Sequence, residues 1–218
     1  MEYSLRMITT IKEAIEIVGG LSIPSKLPCY SYSIPAKRCK VGSKLRKIKG
    51  SICSNCYAHK GFYKLYPAVE LALEKRYNKM SGEQWVDGMT YLVSNKEKSG
   101  FFRWFDSGDL QDEEMLNNIV KVCLSTPNVK HWLPTKEYKI VSDYLNSGKT
   151  FPSNLIVRLS AYMLEGLPPT NLAEKLGVLT SGVSKLNYTC KAPQQKNKCE
   201  DCRLCWDKSV KNVIYHAH

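Results

Sequence analysis

Eight of the nine cysteines fall in two short stretches near opposite ends of the chain, and a fold for this sequence has to bring those stretches to something that holds thiols. The first set, Cys29, Cys39, Cys53 and Cys56, is spaced C-x9-C-x13-C-x2-C; the second, Cys190, Cys199, Cys202 and Cys205, is spaced C-x8-C-x2-C-x2-C. A chain of 218 residues buries roughly 70% of its extended surface on folding and needs no disulfide staple. In a reducing cytosol clustered cysteines are more often metal or cofactor ligands than disulfides. A cytoplasmic location is the expectation, since the sequence carries neither an apolar run of about 18 residues nor the basic-then-apolar layout of a secretory signal, and no membrane partner is expected.

A C-x2-C pair lets two sulfurs converge on one centre. Structural zinc sites usually take two such knuckles, whereas the first set has one, Cys53 and Cys56, with two remote cysteines. The second set contains a C-x2-C-x2-C run, the core of the bacterial ferredoxin pattern for a 4Fe-4S cluster. The spacing predicts one or two 4Fe-4S clusters, with zinc as the alternative and a single cluster shared by both sets as a third arrangement. Cys123, in IVKVCLS, lies on the apolar side of a predicted helix and reads as a core residue.

Between the cysteine stretches the pattern is regular. Residues 6–18 read as a helix stopped by Gly19-Gly20, and cysteine-bearing loops are expected at 24–63 and 188–207, ordered by what the thiols hold. A helix starts at Pro67, and Ser81 to Gln84 reads as a capping box opening another. Strands at 101–105, 130–133, 154–161 and 178–181 then alternate with helices at 112–124, 135–145 and 171–176, and a closing strand is expected at 210–216. Near-continuous apolar strands between helices predict an α/β fold with a parallel sheet, a partial or complete β/α barrel in a single domain over 1–218.

In such a barrel the reactive groups sit where strands run into the following loops. Here those positions are polar: Arg103, Asp106, Ser107, Gly108 and Asp109; His131, Thr135, Lys136 and Glu137; Arg158 and Ser160; His216 and His218. Two carboxylates flanking Ser-Gly is a costly way to build an ordinary turn, which points DSGD toward function. Asp112 and Thr135 can instead cap helices, and Arg158 can pair with a carboxylate.

The net charge is +12, and seven basic residues crowd into 37–49: Lys37, Arg38, Lys40, Lys44, Arg46, Lys47 and Lys49. Such a loop suits a nucleic-acid or acidic protein partner, or it offsets thiolate charge. With Tyr30, Tyr32, Tyr57, Phe62 and Tyr63 available for stacking, a zinc-stabilised nucleic-acid-binding protein is the competing reading.

The segments CKVGSKLRKIKGSICSNCYAHKGFY, FFRWFDSGDLQ, HWLPTKEY, RLSAYM and CEDCRLCWD resemble the bacteriophage family called gene product 88. That resemblance implies a host bacterial cytoplasm and leaves the activity open. Cys39, Cys53 and Cys56, followed by Tyr57-Ala58, also resemble the three-cysteine loop of radical S-adenosylmethionine enzymes, with a longer gap between the first two cysteines. By this likeness Ser107, Gly108 and Asp109 correspond to the segment that holds the amino group of S-adenosylmethionine, with Asp106 beside them as a further candidate cofactor-binding residue, and Arg158 and Ser160 lie near its ribose or carboxylate. The resemblance implies an iron-sulfur protein with a redox, regulatory or divergent radical-enzyme role. A fourth ligand from Cys29 would close the cluster against such chemistry.

Overall fold

The computed structural model describes residues 7–217. Its centre is a six-stranded, all-parallel sheet whose strands run in chain order from one edge to the other. They are β1 (Ser31–Tyr32), β2 (Phe101–Trp104), β3 (Lys130–Thr135), β4 (Leu155–Ser160), β5 (Leu179–Ser184) and β6 (Asn212–His216). The order never reverses, so there is no switch point of the doubly wound kind. The sheet is open, with β1 and β6 as edges, and the expectation of an α/β fold with a parallel sheet is met at that level.

Helices fill the connections: α1 (Ile11–Val18), α2 (Lys40–Leu45), α3 (Phe62–Leu65), α4 (Pro67–Lys79), α5 (Trp85–Lys96), α6 (Glu113–Ser125), α7 (Tyr138–Asn146) and α8 (Thr170–Leu176). The local chemistry sets several ends. Thr10 caps α1 by accepting from the Glu13 N–H, and Gly19 closes it in the left-handed conformation. Asp112 caps α6 by accepting from Met115 N–H at 2.8 Å. The predicted first helix reached back to residue 6, which lies outside the described residues; the helix itself begins at Ile11. The capping box at Ser81 does not form: α5 starts later, with Gln84 at its N-cap and no side-chain cap bond.

The two faces of the sheet differ, as alternation along each strand requires. Phe102, Trp104, Leu133, Leu155, Val157 and Leu159 enter the main core with Trp85, Met89, Leu92, Leu116 and Ile119 from the helices, and Cys123 is buried there as expected. On the opposite face Trp132 packs with Cys29 and Trp206, bordered by Phe101, Cys205 and Tyr215. The connection from β5 to β6, which carries the second cysteine set, crosses to this face. Its only helical turns are 3-10 segments at Ala192–Gln194 and Leu204–Trp206.

Candidate metal centres

The two-residue strand β1 divides the first cysteine set. Cys29 precedes it and Cys39, Cys53 and Cys56 follow it, so in a parallel sheet they leave from opposite ends. The charged groups that weigh most on Cys39 are Asp109, Cys56, Cys53 and Lys136, and those on Cys53 are Lys136, Cys56 and Asp109. Three thiols therefore gather where β2 and β3 end. Burial pushes the Cys39 and Cys53 thiols up, so they become thiolates only with a cation to pair with.

Gly42, in α2, sits against two of these sulfurs. A Cβ there would stand 3.6 Å from both the Cys39 and the Cys53 Sγ, and 2.9 Å from the Cys39 Cβ. The glycine keeps open the space between the thiols. Glu137, buried just past β3, accepts from the Val41 N–H at 2.8 Å and ties α2 to the strand end. On the far side of the loop, Ile52 N–H donates to Tyr162 C=O at 2.9 Å, fastening Cys53 to the end of β4.

DSGD forms the floor of this group, and its four residues divide the work. The Asp106 carboxylate accepts from Ser31 Oγ at 2.6 Å, from Tyr63 Oη at 2.6 Å and from Ser33 Oγ, while its carbonyl accepts from Tyr57 Oη. It is a knot joining β1, β2 and the cysteine loop. Ser107 donates to Ile34 C=O at 3.0 Å. Gly108 has φ +86°, and an added Cβ would lie 2.3 Å from Ile34 Cγ1, so no other residue fits. Asp109 faces the thiols: its oxygens accept from Thr135 Oγ1 at 2.6 Å, Leu110 N–H at 2.8 Å and Lys136 N–H at 2.9 Å. Burial raises its pKa against the pull of those donors.

Cys29 belongs to other company. The charges that weigh most on it are Glu97, Arg103, Cys199 and Arg203. Cys199 in turn feels Cys190, Lys26, Cys202 and Arg103, and Cys205 feels Arg103, Arg158 and Cys199. Cys199 N–H donates to Lys26 C=O at 2.9 Å, which pins the second set beside the segment that carries Cys29. Burial pushes both Cys29 and Cys205 up to about 12, and Cys205 Sγ lies 3.4 Å from Tyr215 Oη. The fold thus sets Cys29 on the side of the second cysteine set, away from the end of β1 that carries Cys39, Cys53 and Cys56.

Among the described residues, no three His, Cys, Asp or Glu side chains converge tightly enough to hold one ion. With the geometry in place, the family match can be set beside it: the Gene product 88 family model matches residues 6–208. The chain belongs to this phage family. No curated protein and no solved structure matches it.

In this gene product 88 chain the remaining predicted site residues go elsewhere. Arg158 is not near DSGD. Wholly buried, it donates to the carbonyls of Thr180, Leu204, Cys205, Asp207 and Val210 at 2.8–3.2 Å, which uses its guanidinium as a clamp on the second cysteine loop. Ser160 pairs with Ser181 Oγ at 3.0 Å. His131 lies in the core, stacked on Trp104, and His216 packs edge-on to Tyr188, while His218 lies outside the described residues.

All seven basic residues of the loop are exposed, but several are partnered: Lys37 pairs with Glu70 and Glu74, Arg38 with Glu74, Lys40 donates to Gln111 C=O, and Arg46 lies 3.3 Å from His59 Nδ1. Tyr32 is no stacking platform: it is fully buried and donates to Val18 and Arg76 carbonyls. Gly42 and Tyr162 escaped sequence reasoning. A glycine inside a short helix beside a cysteine was the one signal for the first; the second had none. Among the described residues no helix is long and apolar enough to cross a membrane.

Proposed function

We propose that the protein is an iron-sulfur protein in which Cys39, Cys53 and Cys56 hold a 4Fe-4S cluster at the C-terminal ends of the strands. The observation that carries this is geometric: the Cys39 and Cys53 sulfurs both lie 3.6 Å from the place a Gly42 Cβ would take, Cys56 N–H donates to Cys53 C=O at 3.3 Å, and Cys29 leaves from the other end of β1. Thiolates that bind one zinc ion must all lie about 2.3 Å from it. Those of a four-iron cluster each bind a different iron, so a looser gathering of sulfurs suits the cluster. The space kept open by Gly42 supports the same choice.

Three thiolates leave one iron for a ligand from outside the chain. S-adenosylmethionine is the ligand implied by the likeness to radical enzymes, and a divergent enzyme of that kind is the reading favoured here over a purely redox or regulatory one. A 4Fe-4S cluster held there would supply electron-transfer chemistry to a ligand bound at it. The chain supplies the rest. Asp109, held by Thr135 and the Lys136 N–H, offers a carboxylate to a ligand ammonium group. Tyr57 and Tyr63 fasten the cysteine loop to the end of β2 through Asp106.

Anaerobically isolated protein is expected to be brown and to carry iron and acid-labile sulfide, with loss of at least a third of both in the Cys39→Ala/Cys53→Ala/Cys56→Ala variant. With S-adenosylmethionine added, the reduced protein's electron-spin spectrum is expected to change only when these three cysteines are present. Colourless protein containing zinc and no sulfide would overturn the reading.

The exposure of Lys44, Arg46, Lys47 and Lys49 favours one further reading, nucleic-acid binding through this face. It predicts that neutralising all four weakens binding of a single-stranded oligonucleotide at least tenfold at low salt. Binding unaffected by the substitutions would remove it.

A further inference from the structure

We infer that Cys29 joins the C-terminal cysteines in a second, fully thiolate-ligated iron-sulfur centre, held by four of the five thiols Cys29, Cys190, Cys199, Cys202 and Cys205, with Arg103 as the cation that offsets its charge. The inference extends the iron-sulfur reading of the first centre.

Three independent observations lead there. The first is topological: Cys29 lies just before the start of β1, and Cys199 is tied by its own N–H to the carbonyl of Lys26, three residues ahead of Cys29, at 2.9 Å. The second is a set of buried donors with nothing to bind. Arg103 Nε and Trp132 Nε1 are both buried without a hydrogen-bond partner, and the Arg103 guanidinium lies 4.5 Å from the centroid of the Trp132 ring. Trp132 packs directly with Cys29 and is bordered by Cys205. Orphaned buried donors are costly, and a cluster's sulfides and thiolates are the acceptors that would satisfy them. The third is charge. Arg103 acts on Cys29, Cys199 and Cys205, and Arg203 acts on Cys29. An assembly of four thiolates and an iron-sulfide core is anionic, and in this aromatic setting a fixed cation favours the more negative, reduced state.

Arg103 also acts on Tyr57, at the edge of the first centre. The guanidinium is thus shared between the two neighbourhoods.

The test uses the full chain, isolated anaerobically. The Cys39→Ala/Cys53→Ala/Cys56→Ala variant is expected to keep iron, sulfide and a reducible cluster signal from the second centre alone, and adding Cys29→Ala is expected to cut that remaining iron at least twofold. Cys29→Ser, which keeps the size and changes the ligand atom, is expected to alter the spectrum even where iron is retained. In the same background Arg103→Leu is expected to move the midpoint potential to a more negative value, and Arg103→Lys to restore part of the shift. If the residual cluster keeps its iron and its spectrum in both Cys29 variants, Cys29 is not a ligand. A triple variant with no iron at all also overturns the second centre while leaving the first intact. Unchanged iron in the triple variant would instead strike at the first centre.

Discussion

His131 shows how one buried side chain makes stability fall on the acid side. Thr126 Oγ1 donates to Val122 C=O at 2.7 Å, so it accepts from His131 Nε2 at 2.9 Å, which leaves the Nδ1 lone pair buried with no partner. Burial lowers the His131 pKa from 6.5 to about 3. The folded state refuses a proton that the unfolded chain takes, so this contribution is complete above pH 6.5 and is lost as pH falls toward about 3. The loss approaches about 1.4 kcal/mol per pH unit within that window. Replacing His131 by Leu removes the orphan nitrogen and leaves Thr126 its bond to Val122. Urea midpoints compared at pH 7.0 and 5.0 are expected to fall less in His131→Leu than in the wild type; equal falls would contradict the assignment. In sequence this histidine groups with the strand-end residues, but it is the second residue of β3, at the start of the strand, and wholly buried.

The elements divide into those that periodicity reveals and those that it cannot. Strands β2 to β6 and helices α4, α6, α7 and α8 lie within a few residues of where their apolar patterns put them, since each is long enough to repeat its period against the core. β1 and α2 are not. Two residues of strand carry no alternation, and α2 has six residues, one of them glycine. Yet β1 decides which cysteines meet, because it sends Cys29 and Cys39 to opposite ends of the sheet, and α2 frames the space between Cys39 and Cys53. Gly42→Ala is informative for that reason. Alanine is a better helix former by about 1 kcal/mol, which offsets part of the crowding it brings, so the fold is expected to be kept. Its methyl group would press on the Cys39 Cβ at 2.9 Å and stand in the cradle between the sulfurs. Expected is an unchanged circular-dichroism spectrum with iron per chain reduced at least twofold, measured on protein made in parallel with the wild type. Full iron in the variant would mean that the glycine serves only the backbone.

At the scale of the molecule, the parallel sheet supplies rigidity and the cysteine segments supply everything that is not regular. Residues 185–211 join β5 to β6 with two 3-10 turns as their only helical structure, and their fastenings gather at the two ends: Lys185 N–H to Glu165, Thr189 and Cys190 N–H to Ile214 C=O, then Trp206 Nε1 to Phe102 C=O and the Arg158 clamp on 204–210, with Cys199 N–H to Lys26 C=O between them. A buried arginine saturated by backbone carbonyls holds the end of that segment independently of any metal, whereas nothing comparable holds 191–203. If thiol ligation orders this stretch, removing iron should release it alone. Hydrogen exchange read by mass spectrometry, on protein as isolated and after anaerobic chelation, is expected to speed up at least tenfold for amides in 191–203. β3, β4 and 204–210 should stay protected in both states. Equal exchange in 191–203 before and after chelation would show that its own hydrogen bonds suffice, and global loss of protection would show that the metal centres stabilise the sheet as well as the loop.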